Sequence, residues 1–565
     1  MSKFVSPDTE VLHLPEPHRH RPPESSGASP HAGPGGRLEP LARIGRQTTS
    51  VNPATGEVLG RVPEHTAADV QRAVATARQA QPGWAALPVR ERTAALLRVR
   101  DAIVRDADRL AEIISRDNGK TRTDALVDEV LPAAAAVDYY AKNAKRFLAD
   151  KRLKPGLALL AYKSSRVVRV PFGVVGIISP WNYPFAIPLS EVVMALAAGN
   201  AVVLKVATQT QQVGLALARL FNEAGLPAGV FHYLNVPGRV AGPAFLEAGI
   251  NKLFFTGSVG VGKQLMAQAA ETLTPVSLEL GGNDPMLVCA DADLERAADG
   301  AVWAGMQNAG QTCGGVERIY VHRQVYPRFV ELLGDRVRRL RVGPDRDFDV
   351  DVGAITTQSQ VETIRAHIQD AVSRGATIYA ESAAPEEGQF LPAVVLTDVN
   401  HEMRVQREET FGPVVTVTPV DTMDEAVALA NDSNLGLTAS VWSRDRRAAD
   451  ALARRLEAGA VMINDHTMSN GLPETPWGGF KESGIGRTHG ELGFSEMTQP
   501  QVIVHDYLPG VKKNPWWHPH GRFVYDGMKG LLDMVYADGA KQRLGGASRF
   551  VRLFARTFGA PDPRS

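Results

Sequence analysis

Short apolar runs alternate with amphipathic helical stretches along most of this chain, and this alternation constrains the fold more than any other feature. The runs include VVGII at 174–178, AVVL at 201–204 and KLFF at 252–255, and a helical pattern at 213–221 separates the last two. Strands that alternate with helices form a mostly parallel sheet that is covered on both faces. A second series of the same kind runs from residue 285 to about residue 463. The sequence therefore predicts an α/β protein.

The bulk composition excludes several classes of protein. With 565 residues the chain exceeds the size of a single core, so we expect several domains. Lys plus Arg and Asp plus Glu both total 62, which argues against nucleic acid as a partner. Two cysteines cannot form a disulfide framework, and no Cys/His cluster has zinc spacing, so we expect no metal and a reducing, cytoplasmic location. No apolar run has the length of a membrane span, and the first 41 residues do not have the pattern of a signal peptide.

Residues 1–44 are rich in Pro, His, Gly and Ser and offer little to bury, so we interpret them as a disordered extension. Their histidines could bind a metal, but the composition favours a solvated tail.

One of the two cysteines, Cys313, stands in the block QNAGQTCGG at 307–315. Buried structural cysteines usually lie among bulky apolar neighbours, whereas glycines let backbone N–H groups approach a reacting atom. We therefore interpret Cys313 as a nucleophile.

Three further blocks could supply the groups that such a nucleophile needs, although each has an ordinary structural alternative. The block FFTGSVGVGK at 254–263 indicates a strand, a Gly-rich turn and a helix whose N-terminus attracts anions; a plain strand-to-helix turn fits as well. Glu279, in VSLELGGNDP at 276–285, could be a general base with a raised pKa or a solvated residue at a strand end. Asn182, in PWNYP at 180–184, could donate to an oxyanion or form an Asx turn.

Taken together and in this order, the four blocks resemble the aldehyde dehydrogenase superfamily, over about residues 45–508. Five additional motifs carry the resemblance: LKVA at 204–207, GLPAGV at 225–230, EETFGPV at 408–414, IN at 463–464 and WGGFKESG at 477–484.

The resemblance implies a fold and a set of domains. It implies a Rossmann-type dinucleotide-binding domain at 45–160 and 171–279, a catalytic α/β domain at 280–497, and an extension of oligomerisation strands at 161–170 and 498–508. An exposed two-stranded ribbon needs a partner to be stable, so we expect a homodimer or homotetramer. A helical tail is expected at 509–565.

The resemblance also implies a reaction. Cys313 would attack an aldehyde to form a thiohemiacetal, Asn182 and the Cys313 N–H would hold the oxyanion, and hydride transfer to NAD(P) would leave a thioester. Glu279 would then activate a water to release the carboxylic acid, which argues against a related type that passes the acyl group to CoA.

By the same resemblance, eight residues would bind the cofactor. These are Trp181, Lys205, Thr208, Gly257, Ser258, Gly262, Glu409 and Phe411. Many members that prefer NAD carry a Glu where this chain has Thr208. Because a carboxylate would repel the 2′-phosphate of NADP, we predict that NADP is accepted.

The residues near the substrate tunnel by analogy are Phe185, Ile187, Ser190, Met306, Thr312 and the loop 466–475. They favour an aliphatic or aromatic aldehyde, with succinate semialdehyde as the alternative.

In the tail, Phe550, Val551, Phe554 and Phe558 form one helical face and Arg549, Arg552 and Arg556 another. Such a helix could pack on the enzyme with its arginines solvated, or lie on an anionic membrane. A scaffold role through the tail is the non-enzymatic alternative.

Overall fold

The alternation of strands and helices is present in the computed structural model, which describes residues 46–157 and 160–560. The predicted extension at 1–44 lies outside the described residues. The strands, in chain order, are β1 (Gln47–Val51), β2 (Val58–Pro63), β3 (Lys151–Leu153), β4 (Lys163–Pro171), β5 (Val174–Ile178), β6 (Ala201–Lys205), β7 (Phe231–Tyr233), β8 (Lys252–Thr256), β9 (Val276–Glu279), β10 (Asp284–Val288), β11 (Val316–His322), β12 (Thr377–Glu381), β13 (Val394–Thr397), β14 (Val414–Val420), β15 (Leu435–Gly436), β16 (Thr438–Trp442), β17 (Ala460–Ile463), β18 (Phe480–Lys481), β19 (Gly484–Ile485) and β20 (Thr498–Asp506).

The helices connect and cover these strands. In chain order they are α1 (Ala67–Ala86), α2 (Val89–Arg105), α3 (Ala107–Asn118), α4 (Arg122–Asp124), α5 (Leu131–Phe147), α6 (Ala186–Ala198), α7 (Gln211–Glu223), α8 (Gly238–Glu247), α9 (Val259–Ala270), α10 (Leu294–Met306), α11 (Tyr326–Arg338), α12 (Gln358–Ser373), α13 (Arg404–Arg407), α14 (Met423–Asn431), α15 (Arg446–Ala453), α16 (Met468–Gly471), α17 (Gly490–Ser495), α18 (Arg522–Tyr536) and α19 (Ala540–Phe554). A π-helical turn lies at Ala125–Val130, and 3-10 turns lie at Thr208–Thr210, Gln307–Gly310 and Ala555–Phe558.

The first sheet has six strands in the order β19-β9-β8-β5-β6-β7. The five strands from β9 to β7 are parallel, and β19 is antiparallel to β9. Every residue of β5, β6 and β8 is buried, because one apolar cluster covers one face and a second covers the other. This is the doubly covered parallel sheet that the apolar runs predict.

The second sheet has seven strands in the order β12-β13-β14-β11-β10-β16-β17. Only its edge strand β12 is antiparallel to its neighbour among the pairs in this sheet. Two further apolar clusters cover its faces. The α/β class is therefore confirmed for both series.

Two short strands pair across the predicted domain boundaries. β19 lies inside the range predicted for the catalytic domain, yet it pairs with β9 of the six-stranded sheet. β3 lies inside the range predicted for the dinucleotide-binding domain, yet it pairs with β4 in a three-stranded sheet of order β20-β4-β3. Each short strand covers an edge that would otherwise leave backbone N–H and C=O groups unpaired.

The tail forms two helices that pack closely against each other. Glycines allow this approach, since a Cβ on Gly530 would lie 2.6 Å from the carbonyl oxygen of Gly546. Val524, Phe550 and Leu553 are buried in the tail. The expectation that the tail arginines are solvated is wrong for Arg556, which is 1% exposed and donates to the carbonyl oxygens of Pro515, Trp517 and Pro519. None of the helices in the described ranges combines the length and the hydropathy that crossing a bilayer requires.

Candidate active site

Cys313 lies in the loop that joins the 3-10 turn Gln307–Gly310 to β11. The turn contains two non-glycine residues in the left-handed region, Asn308 (φ 51°) and Ala309 (φ 54°), and Gly310 continues at φ 71°. Left-handed backbone at non-glycine residues is strained and persists only when the surroundings hold it. Here the Asn308 side chain donates to the carbonyl oxygen of Asn182 (3.0 Å) and to that of Gln311 (3.1 Å). These bonds hold the Cys313 loop against the Asn182 loop.

Asn182 is buried and fixed in orientation beside Cys313. Its Nδ2 donates to the Gln311 carbonyl oxygen at 3.0 Å, and both Asn182 and Cys313 line one cleft. A side-chain amide carries two N–H groups, so one is left to donate to an oxyanion. The Asx-turn alternative is wrong, because the Asn182 side chain bonds across the site to a residue far along the chain.

A buried ion pair supports the Asn182 loop from behind. Lys120 Nζ lies 2.7 Å from Glu129 Oε1, and both side chains are fully buried. The same ammonium donates to the Asn182 carbonyl oxygen at 2.8 Å, and Glu129 Oε2 accepts from the backbone N–H of Phe185 at 2.7 Å. The pair therefore fixes the loop at both ends of the segment that carries Asn182.

Glu279 ends β9 and points into a buried space. It is 6% exposed, so the interpretation as a solvated residue at a strand end is wrong. Its Oε2 has no hydrogen-bond partner among the described residues. Burial, and then the charge of Glu191, raise the pKa of Glu279 well above its usual value, while Arg487 opposes the shift.

The Cys313 thiol is surrounded by carboxyl groups. Burial raises its pKa far above the usual value, and Glu409, Asp284 and Glu279 add to the shift. Because the thiolate is the nucleophilic form, the thiol proton must leave when the sulfur reacts.

Five of the predicted cofactor residues line the same cleft as Cys313. They are Trp181, Gly257, Ser258, Glu409 and Phe411. The Trp181 and Phe411 rings meet edge to face with centroids 5.4 Å apart. Phe411 has φ 52°, and its N–H donates to the buried Glu317 carboxylate at 2.8 Å. Glu409 Oε1 accepts from the N–H of Gly282 at 2.9 Å.

The other three predicted cofactor residues lie apart from the wall of this cleft. Lys205 ends β6 and is 6% exposed, and its ammonium has no partner within 46–157 and 160–560. Burial lowers its pKa to about 8. Thr208 begins a 3-10 turn and is half-buried. Gly262 faces Leu280, where an added Cβ would lie 2.7 Å from a side-chain carbon, so it serves helix packing and its contact with a cofactor stays a prediction.

The residues fit a dinucleotide. A buried lysine without a counterion is costly unless a polar group binds to it, and ribose hydroxyls or a phosphate would satisfy Lys205. The helix α9 begins at Val259, directly after Ser258, and the first N–H groups of a helix can bind a phosphate.

A second cavity, of about 130 Å³, reaches Cys313 from another side. Its wall includes Tyr183, Ile187, Thr312 and Trp477. Residues 467–468 and 470–471, from the loop 466–475 that we expected near the substrate, also line it. The expectation for Phe185 and Met306 is wrong, because both are buried in apolar clusters and do not line this cavity. Cys313, Glu279, Thr256 and Leu280 line both the cavity and the cofactor cleft. The two spaces therefore meet at Cys313 and Glu279.

Several site residues were not predicted. Glu191 lines the cavity from α6, Tyr183 donates to or accepts from Thr312 Oγ1 at 2.6 Å, and Lys120 with Glu129 holds the Asn182 loop. The signal for Glu191 was a single acidic residue in an otherwise apolar helix. Across the described ranges, no three His, Cys, Asp or Glu side chains are placed to hold a metal ion.

Comparison with known proteins gives consistent matches. The model of the "Aldehyde dehydrogenase family" matches residues 42–503. A 4,4'-diapolycopene aldehyde oxidase from Methylomonas sp is 38% identical over 491 residues, which are 86% of this chain and 91% of that protein. A protein from Mycolicibacterium smegmatis, provisionally named as a succinate-semialdehyde dehydrogenase [NADP(+)], is 40% identical over 84% of this chain and 93% of its own length.

Solved structures agree with the sequence matches. The NAD-dependent aldehyde dehydrogenase from Sinorhizobium meliloti has a TM-score of 0.79 at 36% identity, covering 84% of this chain and 93% of that one. The succinate-semialdehyde dehydrogenase from Burkholderia pseudomallei has a TM-score of 0.78 at 36% identity, covering 82% and 95%.

Proposed function

Since this chain belongs to the aldehyde dehydrogenase family and oxidises aldehydes, we propose that Cys313, Asn182 and Glu279 carry out the reaction with NAD or NADP as the hydride acceptor. The observation that carries the assignment is that Cys313 and Glu279 stand where the cofactor cleft and the second cavity meet. A group bound in either space reaches the same sulfur.

In the first half of the reaction, the Cys313 sulfur bonds to the aldehyde carbon, and the thiol proton is released to solvent. The carbonyl oxygen becomes an oxyanion, which accepts from the free N–H of the Asn182 amide and from the Cys313 backbone N–H. Lys120 and Glu129 keep Asn182 in place during this charge development.

A bound NAD or NADP supplies the acceptor for the hydride that leaves the former aldehyde carbon. The residues that would hold the cofactor are Lys205 at its adenosine end, Ser258 and Trp181 at its phosphates, and Glu409 and Phe411 at its nicotinamide end. The product on the enzyme is a thioester of Cys313.

In the second half, Glu279 takes a proton from a water whose oxygen bonds to the thioester carbon. The bond from that carbon to the Cys313 sulfur then breaks, which releases the carboxylic acid. The burial of Glu279 suits this role, because a carboxylate with a raised pKa is a stronger base than one in water.

Cys313→Ser and Glu279→Gln separate the two halves. We expect Cys313→Ser to abolish formation of reduced nicotinamide with any aldehyde. Glu279→Gln should allow one turnover and then accumulate a thioester that is visible by intact mass. Continued steady-state turnover by either variant would contradict the assignment.

For the cofactor, we infer acceptance of NADP from Thr208, which is neutral where a carboxylate would oppose the 2′-phosphate. Steady-state kinetics with NAD and NADP in parallel test this inference. A strong preference for NAD would refute it.

For the substrate, we infer a neutral aliphatic or aromatic aldehyde. The titratable carboxyl groups on the cavity wall are Asp128, Glu191 and Glu279, and no lysine or arginine lies among its described lining residues. A substrate carboxylate would therefore meet acidic groups without a counterion. A panel that compares hexanal and benzaldehyde with succinate semialdehyde tests this, and a higher kcat/KM for succinate semialdehyde would favour the alternative named above.

For the assembly, we infer a homodimer or larger oligomer through the sheet of β3, β4 and β20. Val502 and Val504 are 59% and 57% exposed on β20. Light scattering should give at least twice the chain mass, and Val502→Lys with Val504→Lys should reduce it.

For the tail, we infer contact with an anionic lipid surface. The charged residues of α19 are Lys541, Arg543, Arg549 and Arg552, and no acidic residue occurs within the helix. Leu544 and Val551 are 74% and 66% exposed on the same helix. Exposed apolar side chains beside cations are typical of helices that lie on anionic membranes. Flotation with anionic vesicles should carry the full chain and lose Leu544→Lys with Val551→Lys; equal flotation of both would refute the contact. We infer a cytoplasmic protein with such peripheral contact, in which both cysteines are free thiols.

A further inference from the structure

Glu191 is an acidic residue on an otherwise apolar helix. Residues 188–198 of α6 are all buried, and Glu191 is the only charged side chain in the helix. It is 1% exposed, and its Oε2 has no hydrogen-bond partner among the described residues. A buried carboxyl group without a counterion destabilises a protein, so its presence calls for a role that packing does not supply.

Glu191 shares a cavity with the general base. Glu279 and Thr256 line the same wall, and the Oε2 of Glu279 also has no partner within the described ranges. The hydroxyl of Thr256 lies beside Glu191, and the Glu191 charge acts directly on Glu279. Two carboxyl groups in one buried space resist being ionised together, so they release their protons in two separate steps.

The cavity that both carboxyl groups line has room for water. Its volume is about 130 Å³, and one water needs about 10–15 Å³. Trp303 and Met468 stand on the same wall and are 43% and 50% exposed, so the cavity reaches solvent. A proton that arrives on Glu191 therefore has a route out of the protein.

We propose that Glu191 is the proton partner of Glu279: the two carboxylates share the one proton that Glu279 takes from the hydrolytic water, and Glu191 passes it on toward solvent. The inference rests on the proposed function. A water O–H bond breaks, the oxygen bonds to the thioester carbon, and the proton goes to Glu279. The carbon–sulfur bond breaks as Cys313 leaves as thiolate, and the proton passes to Glu191 and then to solvent.

The other titratable or charged groups near the pair set the background for its pH dependence. On the cavity wall and in the adjoining loop they are Asp128, Tyr183, Cys313, Arg487 and His489. Burial raises the pKa of Glu191 to about 8 and that of Asp128 to about 7, whereas it lowers the pKa of His489 to about 4. Among these groups, Glu191 is the carboxyl whose charge most affects Glu279.

The test follows hydrolysis of the acyl-enzyme of the full chain as a function of pH, by rapid quench and intact mass. In Glu191→Gln, Glu279 no longer meets a second negative charge. The acidic limb of the pH–rate profile for hydrolysis should therefore move to lower pH by about one unit. Above the limb, hydrolysis should be slower than in the wild type, because the proton acceptor is lost. Glu191→Asp keeps the charge and should keep the limb near its wild-type position.

Controls separate this inference from the proposed function and from misfolding. Glu191→Met places an apolar side chain in an apolar helix and should fold even if Glu191→Gln does not, with the same displaced limb. Glu247→Gln, an exposed acid on α8, should behave as the wild type. An unmoved limb in Glu191→Gln and Glu191→Met, with normal formation of the acyl-enzyme, would overturn the inference. Failure of the wild type to form an acyl-enzyme would instead overturn the proposed function.

Discussion

The substitution Lys120→Met tests whether a buried ion pair organises the oxyanion loop. Lys120 Nζ contacts Glu129 Oε1 at 2.7 Å, the Asn182 carbonyl oxygen at 2.8 Å and the Tyr183 ring centroid at 4.2 Å. Removing one partner of a fully buried pair costs about 3–5 kcal/mol, because the other charge stays buried and unpaired. The Asn182 carbonyl oxygen keeps its second donor, Asn308 Nδ2, so the lost hydrogen bond adds only about 1 kcal/mol. We therefore expect the free energy of unfolding to fall by about 4 kcal/mol.

The matched control is Lys142→Met. Lys142 also forms an ion pair, with Asp138 at 2.5 Å, but its side chain is 70% exposed. Exposed pairs contribute about 0–1 kcal/mol. Urea unfolding of both variants measures the difference, and single-turnover formation of reduced nicotinamide measures the effect on catalysis. We expect at least a tenfold slower acylation in Lys120→Met only, since a shift of about 1 Å at a reacting group can cost about 100-fold. Equal stability and equal rates in the two variants would refute the reasoning.

Three further predictions concern the reaction itself. Asn182→Ala should slow acylation by about 100- to 1,000-fold in single-turnover kinetics, because one oxyanion donor is lost; a change below about tenfold would contradict its role. The pKa of Cys313 is raised and only the thiolate reacts, so its alkylation by iodoacetamide should still rise about tenfold per pH unit from about pH 7 to about pH 9; a plateau near the usual thiol pKa would contradict this. Thr208→Glu should lower kcat/KM with NADP relative to NAD by at least about tenfold, and an unchanged ratio would show that residue 208 does not face the 2′ position.

The sequence was most informative where the pattern of neighbouring residues along the chain decides the structure. The apolar runs of β5, β6 and β8 predicted strands because a fully buried parallel strand needs apolar side chains on both faces. Cys313, Glu279 and Asn182 each had an ordinary alternative, and their order along the chain, with the family motifs, selected the catalytic interpretation. The meeting of the cofactor cleft and the cavity at Cys313 then agreed with it.

The sequence was least informative where a side chain's partner comes from a distant element. Phe185 and Met306 were expected near the substrate, but whether they face the core or the cavity depends on the rotation of their segments. Glu129 supports Phe185 and Lys120 supports Asn182 through contacts that span more than fifty residues of chain. The prediction that Arg556 is exposed was wrong for the same reason, because the carbonyl groups that accept from it belong to an irregular segment about forty residues earlier.

Arg556 also determines where the chain can be shortened. Its guanidinium binds three backbone carbonyl oxygens at 515–519. We therefore expect residues 515–558 to fold as one unit. A stop codon placed between α19 and Arg556 would remove the guanidinium that donates these hydrogen bonds. The three carbonyl groups would then lack their partner, and the apolar contacts of Phe550 would become exposed. A stop placed directly after Tyr507 removes donor and acceptors at once. A shorter deletion should therefore be the more damaging of the two, and the amount of chain removed is a poor guide to how well the remaining protein folds.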